Sequence, residues 1–367
     1  MPLHEGAVTP ASLESTRSPQ TSADTDNRHA RRRVVDYYDQ LWNDYRIVWR
    51  SDRTGAIHFG YFDEASESRR TWREVFLFWA GMPVNLAIAL VSMPIWLVGF
   101  REAAVKLARL AVRGRAARHE AAQEAMTREV WRAAGITDDE RVLDAGCGVG
   151  GTDVWLARAG ASVVGINVQP RQLREAQAAA RRGGVCVRLS CQDYTQMAFA
   201  DGVFDVVWGL ESICHCQDKA AFLREAWRVL KPGGRLVVAD FFQLKAPLSA
   251  TEALDMSLWT SGWAIPNLAT TCGFRRDLLH RGFEQIIYRD VRANVMPSAR
   301  RLLTASRVAY PVGRVAELLR LRTPTQTANV RAAHLQYRTL KEEVWTYGIF
   351  TARKPQDLIV AGASRVS

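Results

Sequence analysis

The stretch from Arg141 to Phe242 constrains this chain more than any other, because strand-like and helix-like patterns alternate through it without a break. RVLDAG is an apolar run into a glycine turn and DVWLARAG has helical spacing. SVVGINV is strand-like again, and PRQLREAQAAARRGG is a helix opened by proline and closed by glycine. VCVRLSCQDY, FDVVWGLES and GRLVVADFF read as further strands, with AAFLREAWRVL as the helix before the last. Strands separated by helices of about ten to fifteen residues build βαβ units, and these stack into a parallel sheet with helices on both faces. The expected fold class is α/β, a doubly wound Rossmann-like sheet. The turn Gly146-Cys147-Gly148-Val149-Gly150-Gly151 lies between a strand and a helix, where such a sheet takes a nucleotide-like ligand. Gly146, Gly148 and Gly151 satisfy GxGxxG, which alone does not distinguish a dinucleotide from another nucleoside ligand. The second strand, however, ends in Gly165-Ile166-Asn167 and lacks the acidic residue that a nicotinamide ribose needs. Asp144 precedes the first glycine instead, and Gln192-Asp193 closes the third strand.

The 367 residues exceed what this sheet uses. Residues 1–33 run through Pro, Ser, Thr and Ala to Arg31-Arg32-Arg33 and lack the apolar core of a signal peptide, so a disordered leader is expected there. Residues 34–75 are dense in aromatics and form a candidate N-terminal cap. Residues 76–100 carry no charge. At about 1.5 Å per residue a helix of that length would cross a hydrocarbon core of about 30 Å, but Pro83 and Pro94 interrupt it. Basic flanks suit an anionic headgroup layer, and the expected arrangement is a broken helical hairpin dipping into one leaflet from the cytosolic face. A buried element and a true span are the alternatives. Residues 101–134 read as amphipathic helices, 135–245 as the ligand-binding core, and 246–367 as a helical lid with the final strands of the core. The six cysteines show no zinc spacing and no metal is expected. A net charge of +11 admits nucleic acid, membrane or phosphorylated partners.

VLDAGCGVGGTDVWLA, VVGINVQPRQL, CQDYTQMAFADGVFDVVWGLESICH and RVLKPGGRLVVAD resemble, in order, the motifs of class I S-adenosylmethionine-dependent methyltransferases. The resemblance implies S-adenosylmethionine as cofactor, with Asp144 under the methionine ammonium, Gly146 and Gly148 allowing close approach, Asn167 at the ribose and Asp193 at the adenine amino group, and with Gln172 and Tyr194 also among the cofactor-binding residues. Most of the superfamily has Asp or Glu where this chain has Asn167, and Asn is similar to the C-methylating branch. Asp36-Tyr37-Tyr38-Asp39 and His58-Phe59-Gly60-Tyr61-Phe62-Asp63 resemble the cap of sterol C-methyltransferases, tocopherol methyltransferases and cyclopropane fatty acid synthases. That places Tyr38 and His58 on the cofactor, Tyr37 among the catalytic groups and Tyr61 in the substrate pocket; Trp263, a candidate pocket wall, opens Trp263-Ala264-Ile265-Pro266-Asn267-Leu268, which resembles the substrate-side lid of the same branch.

Glu211-Ser212-Ile213-Cys214-His215 resembles the Glu-x-x-x-His segment of the same branch. Methyl transfer to an alkene or arene carbon leaves a cation that must lose a proton, and Glu211 with His215 are the candidate groups for both tasks. The expected acceptor is a hydrophobic small molecule or lipid of isoprenoid type: a sterol, prenyl chain or prenylated quinol. N- or O-methylation of a small polar metabolite is the alternative, and a cofactor-binding but silent membrane scaffold is a third. Arg300, Arg301, Arg307, Arg314, Arg320 and Arg322 suit either an acceptor diphosphate or a solvated or lipid-facing helix. Nucleic acid is disfavoured, since no Asn-Pro-Pro-Tyr-like motif follows the fourth strand. Oligomeric state is open.

Overall fold

In the computed structural model the described residues are 22–48, 55–63 and 116–356. The insertion expected over 76–100 lies outside them, as do residues 101–115. Seven strands form one sheet: β1 (Arg141–Ala145), β2 (Ser162–Asn167), β3 (Arg188–Cys191), β4 (Phe204–Leu210), β5 (Leu230–Gln243), β6 (Glu284–Asp290) and β7 (Trp345–Arg353). Their order is β3-β2-β1-β4-β5-β7-β6. The first five pair in parallel, and β7 runs antiparallel between β5 and β6. Strand order reverses between β1 and β4, so the crevice for a ligand opens at their C-terminal ends.

The described helices are α1 (Ser22–Gln40), α2 (Trp42–Val48), α3 (Ala116–Ala134), α4 (Gly151–Arg158), α5 (Pro170–Gly183), α6 (Lys219–Val229), α7 (Ala250–Gly262), α8 (Thr271–Arg281), α9 (Arg292–Leu318) and α10 (Pro324–Lys341). Alternation along each strand feeds two cores. Val142, Val206 and Trp208 face one layer with Met126, Trp259 and Trp345. Leu143, Val207 and Phe204 face the other with Phe222, Phe274 and Phe350. Local signals set the helix ends: Pro170 stands in the first turn of α5 and Gly184 closes it at φ 65°.

One sequence expectation changes. The leader expected to be disordered through residue 33 gives way to helix at Ser22, because Ala30, Val34 and Tyr37 share a buried face that the aromatic cap completes. Residues 246–367, read as a helical lid with the final strands of the core, contain α7 to α10 with β6 and β7 among the described residues. Both α7 and α10 begin with a capping box, Ser249 with Glu252 and Thr323 with Gln326. No helix among the described residues is long and apolar enough to cross a membrane.

Candidate active site

At the switch point the glycine turn presses against the loop that follows β4. Gly146 has φ 108°, and a Cβ there would stand 2.5 Å from Ser212 Cβ, so only glycine fits. The Ser212 hydroxyl ties the two loops together by donating to Ala145 O at 2.6 Å. Residues 55–63 cover the turn from above: a side chain at Gly148 would meet Ile57 Cδ1 at 3.6 Å, and one at Gly55 would meet Gly151 Cα at 3.7 Å. Asp144 is buried at the end of β1, close to buried Asp153 on α4. Burial pushes both carboxyls up, and at Asp144 the neighbouring Asp153 adds to it. Both Asp153 oxygens are buried without a hydrogen-bond partner.

Along the same edge, Asn167 Nδ2 donates to Gln172 Oε1 at 2.7 Å and to Gly148 O at 3.4 Å. Asp193 Oδ1 accepts the backbone N–H and the hydroxyl of Thr195, at 2.8 and 2.7 Å. The Tyr194 hydroxyl donates to Ser212 O at 3.1 Å. These bonds fix one side of each polar group.

Glu211 follows the last residue of β4 and holds left-handed backbone, φ 49°. Its Oε1 accepts the Phe59 N–H at 2.7 Å and the Tyr347 hydroxyl at 2.9 Å. Burial outweighs those two bonds and, with buried Asp240 nearby, pushes its carboxyl up to about 8. His215 Nδ1 stands 3.2 Å from Ala264 O. A carbonyl only accepts, so Nδ1 carries the proton and Nε2 takes the Tyr38 hydroxyl at 3.1 Å. Burial lowers His215 to about 4, leaving the imidazole neutral at physiological pH. His58 is neutral for the same reason, also at about 4, with Nδ1 on Phe59 O at 2.9 Å. Glu211 and His215 are thus not bonded to each other. One is anchored by β7 and the cap, the other by α1 and the loop after α7.

One cavity unites most of the expected residues. Tyr38, His58, Asp144, Gly146, Gly148, Asn167, Gln172, Asp193, Tyr194, Glu211, His215 and Trp263 all line it. Two expected residues stand elsewhere. Tyr37, expected among the catalytic groups, is buried behind the wall and donates to Asn329 Oδ1 at 2.9 Å, because its position on α1 turns it toward α10. Tyr61, expected in the substrate pocket, is not among the lining residues; its backbone N–H bonds Ala122 O at 2.8 Å. The structure adds Tyr45 and Phe241 to the wall and Tyr347 behind Glu211. Tyr45 belongs to the aromatic segment that stood out in the sequence. Tyr347 gave no signal, since only the antiparallel insertion of β7 beside β5 brings it there.

The arginines of α9 and the turn after it do not converge on this cavity. Arg322 pairs with Asp44 and Arg314 with Glu317, and none of the six lines it.

Residues 143–238 match the family model described as a methyltransferase domain. The chain is 40% identical over 141 residues to 2-methyl-6-phytyl-1,4-hydroquinone methyltransferase of a Synechocystis strain, covering 37% of this chain and 44% of that one. It is 33% identical to the O-methyltransferase resE of Aspergillus sclerotiorum, over 48% of this chain and 67% of the relative. The chain belongs to the class I S-adenosylmethionine-dependent methyltransferases. It spans less than half the length of the first curated relatives it matches. Among solved structures a geranyl diphosphate methyltransferase superposes with a TM-score of 0.60 at 16% identity, over 89% of this chain and 99% of that one, which speaks to the fold.

The cavity of this methyltransferase fits its cofactor. Asp144 lines the cavity as a buried carboxyl, which suits a ligand carrying an ammonium. The glycine turn leaves room for close backbone approach, and Asn167, Gln172 and Asp193 offer polar atoms along the length of a nucleoside.

Proposed function

We propose that this methyltransferase methylates a carbon atom of a hydrophobic, isoprenoid-type acceptor such as a sterol, prenyl chain or prenylated quinol. The observation that carries the reading is a half-buried carboxyl, Glu211, raised by desolvation in a cavity walled by Tyr38, Tyr45, Phe241 and Trp263. In this reading Asp144 takes the cofactor's ammonium, Asn167 and Gln172 the ribose, and Asp193 with Tyr194 the adenine.

S-adenosylmethionine supplies an electrophilic methyl on sulfur. When an acceptor π bond forms the new C–C bond to that methyl, the S–CH3 bond breaks with its electron pair left on sulfur, and positive charge appears on the neighbouring acceptor carbon. Glu211 holds that charge from below and the aromatic faces of the wall hold it from the sides. Glu211 gives its own proton to solvent before the cap closes, because the positive charge of the bound cofactor offsets the burial that keeps the carboxyl neutral. The carboxylate then removes a proton from the carbon beside the cation, and that C–H pair restores the double bond. Phe59 N–H and the Tyr347 hydroxyl keep Oε1 in place throughout. The cap excludes water, which would otherwise capture the cation.

A second reading, O-methylation, is favoured by His215, whose unprotonated Nε2 would accept a hydroxyl proton as methyl reaches oxygen. The relative covered over two thirds of its length is named an O-methyltransferase. Incubation with methyl-labelled S-adenosylmethionine and a fractionated lipid extract, followed by product identification, separates the readings. Label on carbon of an isoprenoid supports the first and label on oxygen the second. Label confined to polar amines overturns both.

A further inference from the structure

The first half of α9 is an ordinary core helix: Val295, Ala299, Leu302 and Ser306 are buried, and Ala299 O accepts Gln336 of α10 at 3.1 Å. The second half is not. Val312, Val315, Leu318 and Leu319 are 55, 58, 76 and 61% exposed. Their spacing of three, six and seven residues places them along one outward side of the helix. A surface helix that had only water to face would carry polar side chains there.

The charge beside this stripe has one sign. From Arg292 to Arg322 the chain has seven arginines and a single acidic residue, Glu317. Glu317 engages Arg314, while Arg307 and Arg320 extend into solvent near the stripe. Val and Leu flanked by arginine is the composition that inserts shallowly at a lipid interface and draws on anionic headgroups. A second copy of the chain fits less well, because two such faces would set one arginine row against another.

The stripe also has a fixed relation to the cavity. Arg322 folds back so that its Nε is 3.6 Å from where a Gly313 side chain would begin, and its guanidinium grips Asp44. Tyr45, the next residue, lines the cavity. We propose that the outward face of Val312–Leu319, with Arg307 and Arg320, docks on an anionic lipid surface and so sets the α1–α2 cap beside the bilayer. The proposal holds whichever acceptor is methylated.

Co-sedimentation of the full chain with phosphatidylcholine vesicles, with and without phosphatidylglycerol, tests it. The wild type should pellet with the phosphatidylglycerol vesicles and be released by salt. Combined Val312→Glu, Val315→Glu and Leu319→Glu should lower the partition coefficient by about tenfold or more. Combined Arg307→Gln and Arg320→Gln should lower it by about tenfold and weaken its salt dependence. Both variants should keep the wild-type melting temperature and S-adenosylmethionine affinity. Unchanged partitioning of the triple variant overturns the proposal, as does a wild type left in the supernatant. A marked fall in its melting temperature would mean that the face is covered within the chain, and loss of a wild-type dimer would mean that a second copy covers it. Either result also overturns it.

Discussion

Glu211 combines a left-handed backbone, a half-buried position in the cavity wall and two donors on one oxygen, which is a costly arrangement for a residue with only a structural task. Replacement by Gln keeps the shape and removes the base. Turnover should fall by about a hundredfold or more while S-adenosylmethionine affinity stays within about threefold; unchanged turnover would remove Glu211 from the mechanism. The working form is the carboxylate, so kcat/KM should rise with pH and level off above about 8. That limb should vanish in Glu211→Gln. Stability should move the other way. The folded-state value lies above the ordinary one of 4.5, so the stability tied to this proton is complete below that value and is lost as pH rises through about 8. Thermal melts should accordingly show Glu211→Gln gaining on the wild type between pH 5 and 8. His58 and His215, both near 4, should remain neutral at pH 5 in histidine side-chain NMR, and a titration near 6.5 would show either ring to be solvated.

At the level of elements, the site is a junction of three chain segments around the C-terminal ends of β1 and β4. Gly146→Ala would force a methyl to 2.5 Å from Ser212 Cβ in a backbone region hostile to it. A loss of about 1–3 kcal/mol in denaturant unfolding is expected, with weaker cofactor binding by calorimetry. Strand β7 contributes through Tyr347. Removing its hydroxyl in Tyr347→Phe takes away a bond that favours the ionised carboxyl, so the ascending limb of kcat/KM should shift to higher pH. A purely structural tyrosine would leave the limb in place.

Across the whole molecule, the cap and the C-terminal helices hold each other over the cavity. Arg322 grips Asp44, Gln326 donates to Gln40 O at 3.1 Å, and Tyr37 reaches Asn329. Arg322→Ala should loosen this closure. The Michaelis constant for S-adenosylmethionine should rise by about threefold or more with a clear drop in melting temperature, since the two side chains are only 21 and 19% exposed and the change leaves the Asp44 carboxyl buried without its cation. An unchanged Michaelis constant would mean that closure does not depend on this clasp.

The alternation of strand and helix from Arg141 to Phe242, and the glycine turn inside it, were determined by the sequence. Those patterns are local, and the period of side chains along a strand or helix reports its environment directly. The motif residues Asp144, Asn167, Asp193 and Glu211 were legible because each sits at a strand end that topology always brings to one edge. What the tertiary structure decided depends on distant packing. Tyr37 and Tyr38 are neighbours with the same local signal, yet the helix rotates one toward Asn329 and the other onto His215. Tyr347 reaches Glu211 only because β7 inserts antiparallel beside β5, 136 residues further along the chain. The value of about 8 at Glu211 and the neutral imidazoles arise from burial under the cap. Enclosure of that kind is a property of the folded chain, and no local pattern encodes it.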